Sequence, residues 1–265
     1  MIRTFVLPLV TCVAFVGADV AGAAPVSRDD PEGAEGNQRI ISSAAGSAVV
    51  VTAHPLATAA AHTMLMQGGD AVDALVAAQS VLAVVEPQSS GLGGGGFLLH
   101  WNAQQRQLDV LDGREQAPSA SRPNDLLKPD GQPLPWREAT SQLRAIGIPG
   151  TVALLWDAHQ RWGRLPWTTT FQPAITLARK GFRTTPRLLR SIRLAQRIGT
   201  RHSTEFDQLY RPGGELPRLN QVFRNPALGD TLEQIARDGG SSFYDGALAA
   251  RILKGIAELG SQERA

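Results

Sequence analysis

A glycine-rich stretch about a third of the way along the chain most constrains how this sequence can fold. Five of the six residues at positions 91–96 are glycine, and Pro87 follows a long apolar run. Proline disfavours helical geometry at the residue before it, so a helix is predicted to end at Glu86. Glycine costs folding entropy and is used where the backbone bends tightly or approaches another group closely. The stretch therefore predicts a tight loop directly after a buried helix.

Two short apolar runs after the glycine loop predict a β-hairpin. They span residues 97–101 and 107–111 and flank a polar turn. The second run leads into Asp112, Gly113, Arg114 and Glu115. A guanidinium binds a carboxylate through two parallel hydrogen bonds, so Arg114 is a candidate anion-binding residue that the flanking acids would hold in place. From the residues alone, a structural ion pair with those acids is favoured over ligand binding.

Helical patterns account for much of the remaining chain. Asp70 is suited to cap a helix at 71–85 whose apolar residues lie nearly all round, as is typical of a buried helix. Asp73 within it is interpreted as a capping or core-satisfied carboxylate, with a catalytic role as the alternative. Further helices are predicted at 55–67, 151–161, 167–180, 188–198 and 243–259.

Several common chemistries do not fit the sequence. The glycine loop lacks the Lys-Ser/Thr pair of a phosphate-binding loop, and a helix precedes it where a phosphate site needs a helix to follow. The five histidines never fall in a zinc-binding spacing. The hydroxyls of Thr168, Thr169 and Thr170 stand at a predicted helix entry and are expected to cap it rather than act as nucleophiles. No metal or cofactor is predicted.

One tract is strongly basic, because no acid occurs between Asp157 and Glu205. Within it, one face of the predicted helix 188–198 carries arginines that continue to position 201: Arg190, Arg193, Arg197 and Arg201. A nucleic-acid surface is disfavoured, because no aromatic platform is interleaved with the charges. A solvated face, or one that meets an acidic surface of another segment, is the preferred interpretation. The net charge of +2 does not indicate a polyanionic partner.

The N-terminus has the pattern of an export signal. Arg3 precedes a short apolar run that ends in Ala21-Gly22-Ala23, the small residues that a signal peptidase reads. We predict a signal peptide at residues 1–24, a disordered leader at 25–48 and a folded domain at 49–265, in a periplasmic or secreted protein without a membrane anchor after cleavage. The single cysteine, Cys12, lies within the signal, and its lipidation is the alternative.

Segments spread over residues 49–259 resemble the γ-glutamyltransferases (glutathione hydrolases), in the front part of their large subunit. They occur in the family's order: AHPLAT, GGDAVDALVA, VVEPQSSGLGGGGF, LDGREQAP, IGIPGTVALL and GRLPWTTTFQPAITLARKGF. The resemblance implies an α+β fold, the mostly helical part of an N-terminal nucleophile hydrolase with αββα layers. It also implies that Arg114, in the Asp-Gly-Arg-Glu motif, holds the α-carboxylate of a γ-glutamyl substrate such as glutathione.

The resemblance further implies acyl transfer by a self-cleaving precursor. In the family, the freed N-terminal threonine of the small subunit attacks the γ-glutamyl amide, and water or an amino acid takes the acyl group. The family's cleavage motif does not occur here in an appropriate context. Residues 49–265 are therefore expected to form an incomplete large-subunit domain, and the chain is expected to be a truncated fragment that is inactive without a small subunit. Two alternatives stay open: a non-catalytic module that binds γ-glutamyl or amino-acid carboxylates, and part of a related amide acylase.

Overall fold

The computed structural model describes residues 47–140, 142–198 and 204–262, without the side chains of 197–198 and 259–262. The predicted signal peptide, Cys12 and nearly all of the predicted leader lie outside these residues, as do Arg201 and the side chain of Arg197. These N-terminal predictions stay predictions. The described residues belong to a unit that spans 45–265.

The described ranges are mainly helical. The α-helices are α1 (Pro55–Met66), α2 (Ala71–Val85), α3 (Pro87–Ser90), α4 (Trp136–Thr140), α5 (Thr151–Trp162), α6 (Trp167–Lys180), α7 (Pro186–Ile198), α8 (Thr204–Tyr210), α9 (Pro226–Asp238) and α10 (Ala247–Gln262). The strands are β1 (Gly96–Asn102), β2 (Gln107–Gly113), β3 (Phe182–Arg183) and β4 (Val222–Phe223), and short 3-10 helices span Leu143–Ala145, Pro212–Gly214 and Gly240–Phe243. The predicted helix at 71–85 coincides with α2, whereas α9 was not predicted. The last helix begins at Ala247, not at 243.

The core is a stack of helices centred on α2. One side of α2 packs against α1, the other packs against α6, and α6 in turn packs against α9. The side chains of Val76, Val81 and Val85 in α2 are completely buried. Fully burying an apolar side chain of this size stabilises a fold by about 1.5–3 kcal/mol. The apolar character of α2 is therefore explained by helices that cover it from two directions.

The predicted hairpin is confirmed, and its two faces differ in environment. Strands β1 and β2 pair antiparallel, with Gly96 opposite Gly113 and Leu99 opposite Val110. Leu98 and Leu111 are buried on the face towards the helices. The large side chains of the other face are all more than half exposed: Phe97, Leu99, Trp101, Leu108 and Val110. We call these five residues the hairpin face.

Asp73 joins two distant parts of the chain. Its carboxylate accepts the backbone N–H of Asp70 at 2.9 Å, which completes a capping box at the start of α2. It also accepts the N–H groups of Arg164 at 3.1 Å and Leu165 at 3.2 Å. His159 Nε2 lies 3.3 Å from the same carboxylate. The side chain is fully buried, and the interpretation as a capping, core-satisfied carboxylate is confirmed.

The expectation that hydroxyls of residues 168–170 cap α6 is wrong. The N-cap is Pro166, which makes no side-chain hydrogen bond, so the threonines already lie within the first turn. There, Thr170 is completely buried and its hydroxyl donates to the carbonyl of Trp167 at 2.8 Å. A capping hydroxyl has to precede the helix to reach its first N–H groups, and these hydroxyls follow them.

We predict that Asp73→Asn lowers the free energy of unfolding by about 2–4 kcal/mol, because the amide replaces a charged acceptor by a donor that faces N–H groups. Equilibrium denaturation measures the change. Asp157→Asn is the control, since Asp157 forms an exposed pair with Arg161 and should cost less than about 1 kcal/mol. Equal losses for the two variants would show that Asp73 does not tie the helices together.

Candidate functional site

Three backbone segments meet where β2 ends. They are the glycine loop, the strand end at Gly113 and the turn that precedes α5. The carbonyl of Gly94 accepts the N–H of Gly150 at 2.9 Å and that of Thr151 at 3.0 Å. Gln116 and Ile148 form an antiparallel bridge beside this point. The loop and the start of α5 therefore enclose the residues that follow β2.

Close approach requires glycine at four positions of this meeting point. A Cβ on Gly95 or Gly150 would overlap the carbonyl oxygen of Gly113. A Cβ on Gly113 would lie 2.5 Å from Leu154 Cβ, and one on Gly147 would lie 2.9 Å from Glu115 Cβ. We call these four glycines the glycine crossing. No glycine of the loop at 91–96 has a φ in the left-handed region, so the loop uses glycine for proximity and not for unusual dihedral angles.

The glycine crossing supports the main chain of Arg114. A Cβ on Gly95 would come within 2.9 Å of Arg114 Cα, and one on Gly150 within 2.9 Å of its carbonyl oxygen. The N–H of Arg114 donates to the carboxylate of Asp112 at 2.9 Å. The backbone that carries the arginine is thus fixed from both sides.

The side chain of Arg114 points away from this support, with 58% of its surface exposed. Its Nε lies 3.3 Å from Glu115 Oε2, so Glu115 restrains the guanidinium. The expectation that both flanking acids hold the guanidinium is corrected, because the Asp112 carboxylate binds the backbone N–H instead. The arrangement leaves a cation on a rigid base, able to meet an anion from solvent or from another polypeptide.

An open depression of about 540 Å³ lies on the glycine loop. Leu75 of α2, the one large side chain of that helix that is more than a third exposed, lines it together with Phe97, Leu98, Leu154 and the loop backbone. Arg114 is not among its lining residues. In the described part of the chain, the depression and Arg114 both adjoin Gly95 but do not form one closed pocket.

A buried carboxylate anchors the start of the loop. Glu86, 3% exposed, accepts from Arg187 Nε at 2.7 Å and from the amide of Gln88. The same arginine donates to the hydroxyl of Ser89 at 3.3 Å. Burial lowers the pKa of His54, and the nearby charge of Glu86 partly offsets this effect. The ion pair connects the beginning of α7 to the turn from which the glycine loop departs.

Sequence reasoning named Arg114 as a candidate but did not anticipate the contacts that support its backbone. Gly147 and Gly150 were interpreted only as parts of a turn, and the Glu86–Arg187 pair was not anticipated. The one available signal was Pro149-Gly150 immediately before a predicted helix, because a Pro-Gly pair marks a tight backbone turn.

In the described ranges, no three His, Cys, Asp or Glu side chains are grouped so that they could hold a metal ion. None of the helices in those ranges is long and apolar enough to cross a membrane.

We predict that Gly95→Ala costs about 1–3 kcal/mol of unfolding free energy, because the new Cβ displaces backbone atoms at Gly113 and Arg114. Gly93→Ala in the same loop is the matched control. No atom lies within 4 Å of a Cβ at that position, so it should cost nothing or stabilise by about 0.4–1 kcal/mol. Chemical denaturation of both variants measures the difference. Indistinguishable stabilities would refute the close crossing.

Solved structures share this fold. γ-Glutamyltranspeptidase of Helicobacter pylori is 29% identical with a TM-score of 0.77, and the match covers 82% of this chain and 62% of that one. The enzyme of Pseudomonas nitroreducens is 32% identical with a TM-score of 0.71, covering 80% of this chain and 61% of that one. The transpeptidase CapD of Bacillus anthracis is 30% identical with a TM-score of 0.66, covering 80% and 66%. The expected α+β, N-terminal nucleophile hydrolase class is confirmed.

Curated relatives agree with the structures. The glutathione hydrolase proenzyme of Bacillus subtilis is 33% identical over 212 residues, which are 80% of this chain and 36% of the relative. Glutathione hydrolase 5 proenzyme of Rattus norvegicus is 37% identical over 201 residues, 76% of this chain and 34% of the relative. The chain thus spans about a third of the length of these relatives. The family model for γ-glutamyltranspeptidase matches residues 57–265. The chain belongs to the γ-glutamyltranspeptidase family.

Proposed function

We propose that this chain forms the substrate-holding part of an enzyme that transfers or hydrolyses the γ-glutamyl group of amides such as glutathione. The observation that carries the proposal is the exposed guanidinium of Arg114 on the rigid glycine crossing, in a chain of this family. Relatives named glutathione hydrolase support the substrate class.

Arg114 binds the α-carboxylate of the γ-glutamyl group. Its guanidinium offers planar, paired donors that match the two oxygens of a carboxylate. Glu115 at 3.3 Å limits the rotamers of the side chain, and this reduces the entropy lost when a ligand binds. The main chain beneath Arg114 is fixed by backbone contacts. A substrate whose α-carboxylate is bound there therefore has its scissile γ-amide at a defined position.

A nucleophile from another polypeptide segment performs the chemistry. The hydroxyl of a threonine forms a bond to the γ-carbonyl carbon, the C–N bond of the amide breaks, and the leaving amine takes a proton. Water or an amino acid then releases the γ-glutamyl group. Within this chain, Thr170 is buried and already bonded to a carbonyl, so it is not positioned to attack.

The exposure of the hairpin face supports the proposal that a second polypeptide segment completes the enzyme. Its five large apolar side chains are 53–66% exposed and form a continuous surface on a two-stranded sheet. An apolar surface of this kind usually contacts another polypeptide. The relatives continue well beyond the length matched here, and we propose that the small-subunit segment covers the hairpin face.

We predict that the 265-residue chain alone releases no p-nitroaniline from γ-glutamyl-p-nitroanilide, and that it binds a dye specific for exposed apolar surface. Co-expression with the part of the Bacillus subtilis proenzyme that follows the matched region should restore turnover and reduce dye binding. Turnover by the chain alone that is lost in Thr168→Ala, Thr169→Ala or Thr170→Ala would show that the nucleophile lies in this chain.

We predict that Arg114→Lys in the complemented enzyme lowers kcat/KM for γ-glutamyl donors by about 10- to 100-fold. Lysine keeps the charge but loses the paired hydrogen bonds, a loss of about 1.5–3 kcal/mol. A donor without the α-carboxylate should be affected much less, because it never used the contact. Steady-state kinetics with both donors measures the contrast.

Arg161→Lys is the matched control, since Arg161 pairs with Asp157 on the exposed side of α5. It should leave both donors unchanged. If Arg114→Lys weakens both donors equally, the arginine is structural. If the chain binds γ-glutamyl carboxylates without any turnover after complementation, it is a binding module and not part of an enzyme.

A further inference from the structure

We propose that Tyr244 is a positioning residue for the Arg114 site: its hydroxyl holds the first turn of α5, and through that turn it holds the glycine crossing. The inference rests on the proposed function for its kinetic consequence. Its structural part, the coupling of Tyr244 to the crossing, is independent of any substrate.

The start of α5 has no side-chain cap of its own. The N-cap is Gly150, and the first N–H groups of a helix need partners from outside the helix. The carbonyl of Gly94 accepts two of them, those of Gly150 and Thr151. The N–H of Ala153 donates to the hydroxyl of Tyr244 at 3.0 Å, across a separation of 91 residues. A phenol from the C-terminal part of the chain thus replaces a local cap.

Tyr244 is itself held against α5. It directly follows the 3-10 helix Gly240–Phe243, which packs on α5. A Cβ on Gly240 would lie 2.7 Å from Trp156 Cγ, so this short helix touches the tryptophan closely. The ring of Phe243 contacts that of Tyr244 with centroids 5.2 Å apart. Partial burial raises the pKa of the Tyr244 phenol, and the hydrogen bond from the N–H of Ala153 partly offsets this effect.

The first turn of α5 is mechanically linked to Arg114. Gly150, which opens the helix, is packed directly on the carbonyl of Gly113 and within close reach of the Arg114 carbonyl. A rigid first turn keeps Gly150 at this crossing. When the Tyr244 hydroxyl is lost, the N–H of Ala153 loses its partner, the turn opens more readily, and the backbone beneath Arg114 loses its support.

Tyr244→Phe removes the hydroxyl and preserves the ring contacts. The matched control is Tyr210→Phe, since Tyr210 is the other tyrosine of the chain and its ring stacks on Phe223. Hydrogen–deuterium exchange of the 265-residue chain is the first readout. Tyr244→Phe should accelerate exchange at 93–96, 113–116 and 150–154 and leave α9 unchanged, whereas Tyr210→Phe should leave all three segments unchanged. Uniform acceleration, or none, overturns the coupling.

The second readout is the complemented enzyme with two donors. Tyr244→Phe should lower kcat/KM about three- to tenfold for donors that carry the α-carboxylate and change it little for a donor without it. On the Arg114→Lys background, Tyr244→Phe should have almost no further effect, because the two residues act on one contact. A loss shared equally by both donors, or full additivity of the two substitutions, shows a role in stability alone and overturns the positioning role.

The two readouts separate this inference from the proposed function. If Arg114→Lys fails to discriminate between the donors, the proposed carboxylate site is wrong, and local exchange still decides whether Tyr244 supports the crossing. If Arg114→Lys discriminates and Tyr244→Phe does not, the site stands and Tyr244 does not position it.

Discussion

Direct contact between backbone segments is the constraint on which this structure depends. At the glycine crossing, Gly95 and Gly150 approach the carbonyl of Gly113 so closely that no Cβ fits. Side chains can adapt to one another by changing rotamers, but backbone atoms in contact have no such freedom. The crossing therefore fixes the course of three segments at once, and it places Arg114 on a support that is more rigid than a surface loop. A binding residue gains from such a base, because less entropy is lost when its ligand binds.

The packing of the helices positions the segments that meet at the glycine crossing. Buried α2 lies between α1 and α6, and its carboxylate Asp73 accepts backbone N–H groups from the turn before α6. At the other end of α2, the buried Glu86 pairs with Arg187, which ties α7 to the departure of the glycine loop. Both carboxylates would be costly to bury alone, and both are stable because donors surround them. The hydrogen bonds of Asp73 and the ion pair of Glu86 fix how the helices are placed against one another. Packing of small apolar side chains alone specifies this placement only weakly.

The two faces of the hairpin differ in exposure. Leu98 and Leu111 face the helices and are buried, whereas the hairpin face is exposed over five large apolar side chains. If the hairpin face were in contact with solvent in the working protein, polar side chains would be expected there. The distribution fits our proposal that Arg114 holds the substrate and that a second segment supplies the nucleophile and covers the apolar surface.

The sequence by itself determined the local elements, because their signals are local. Asp70 marks the start of α2 and Pro87 marks its end, while two apolar runs around a polar turn mark the hairpin. The spread of motifs identified the family. Helix α9 was overlooked although the Asn225 cap and the spacing of its apolar residues were available. Only the tertiary structure decided which distant groups bind Asp73 and which hydroxyl caps α5, since Arg164 lies 91 residues from Asp73 and Tyr244 lies 91 residues from Ala153. Contacts at that separation follow from how helices pack, and no local periodicity encodes them.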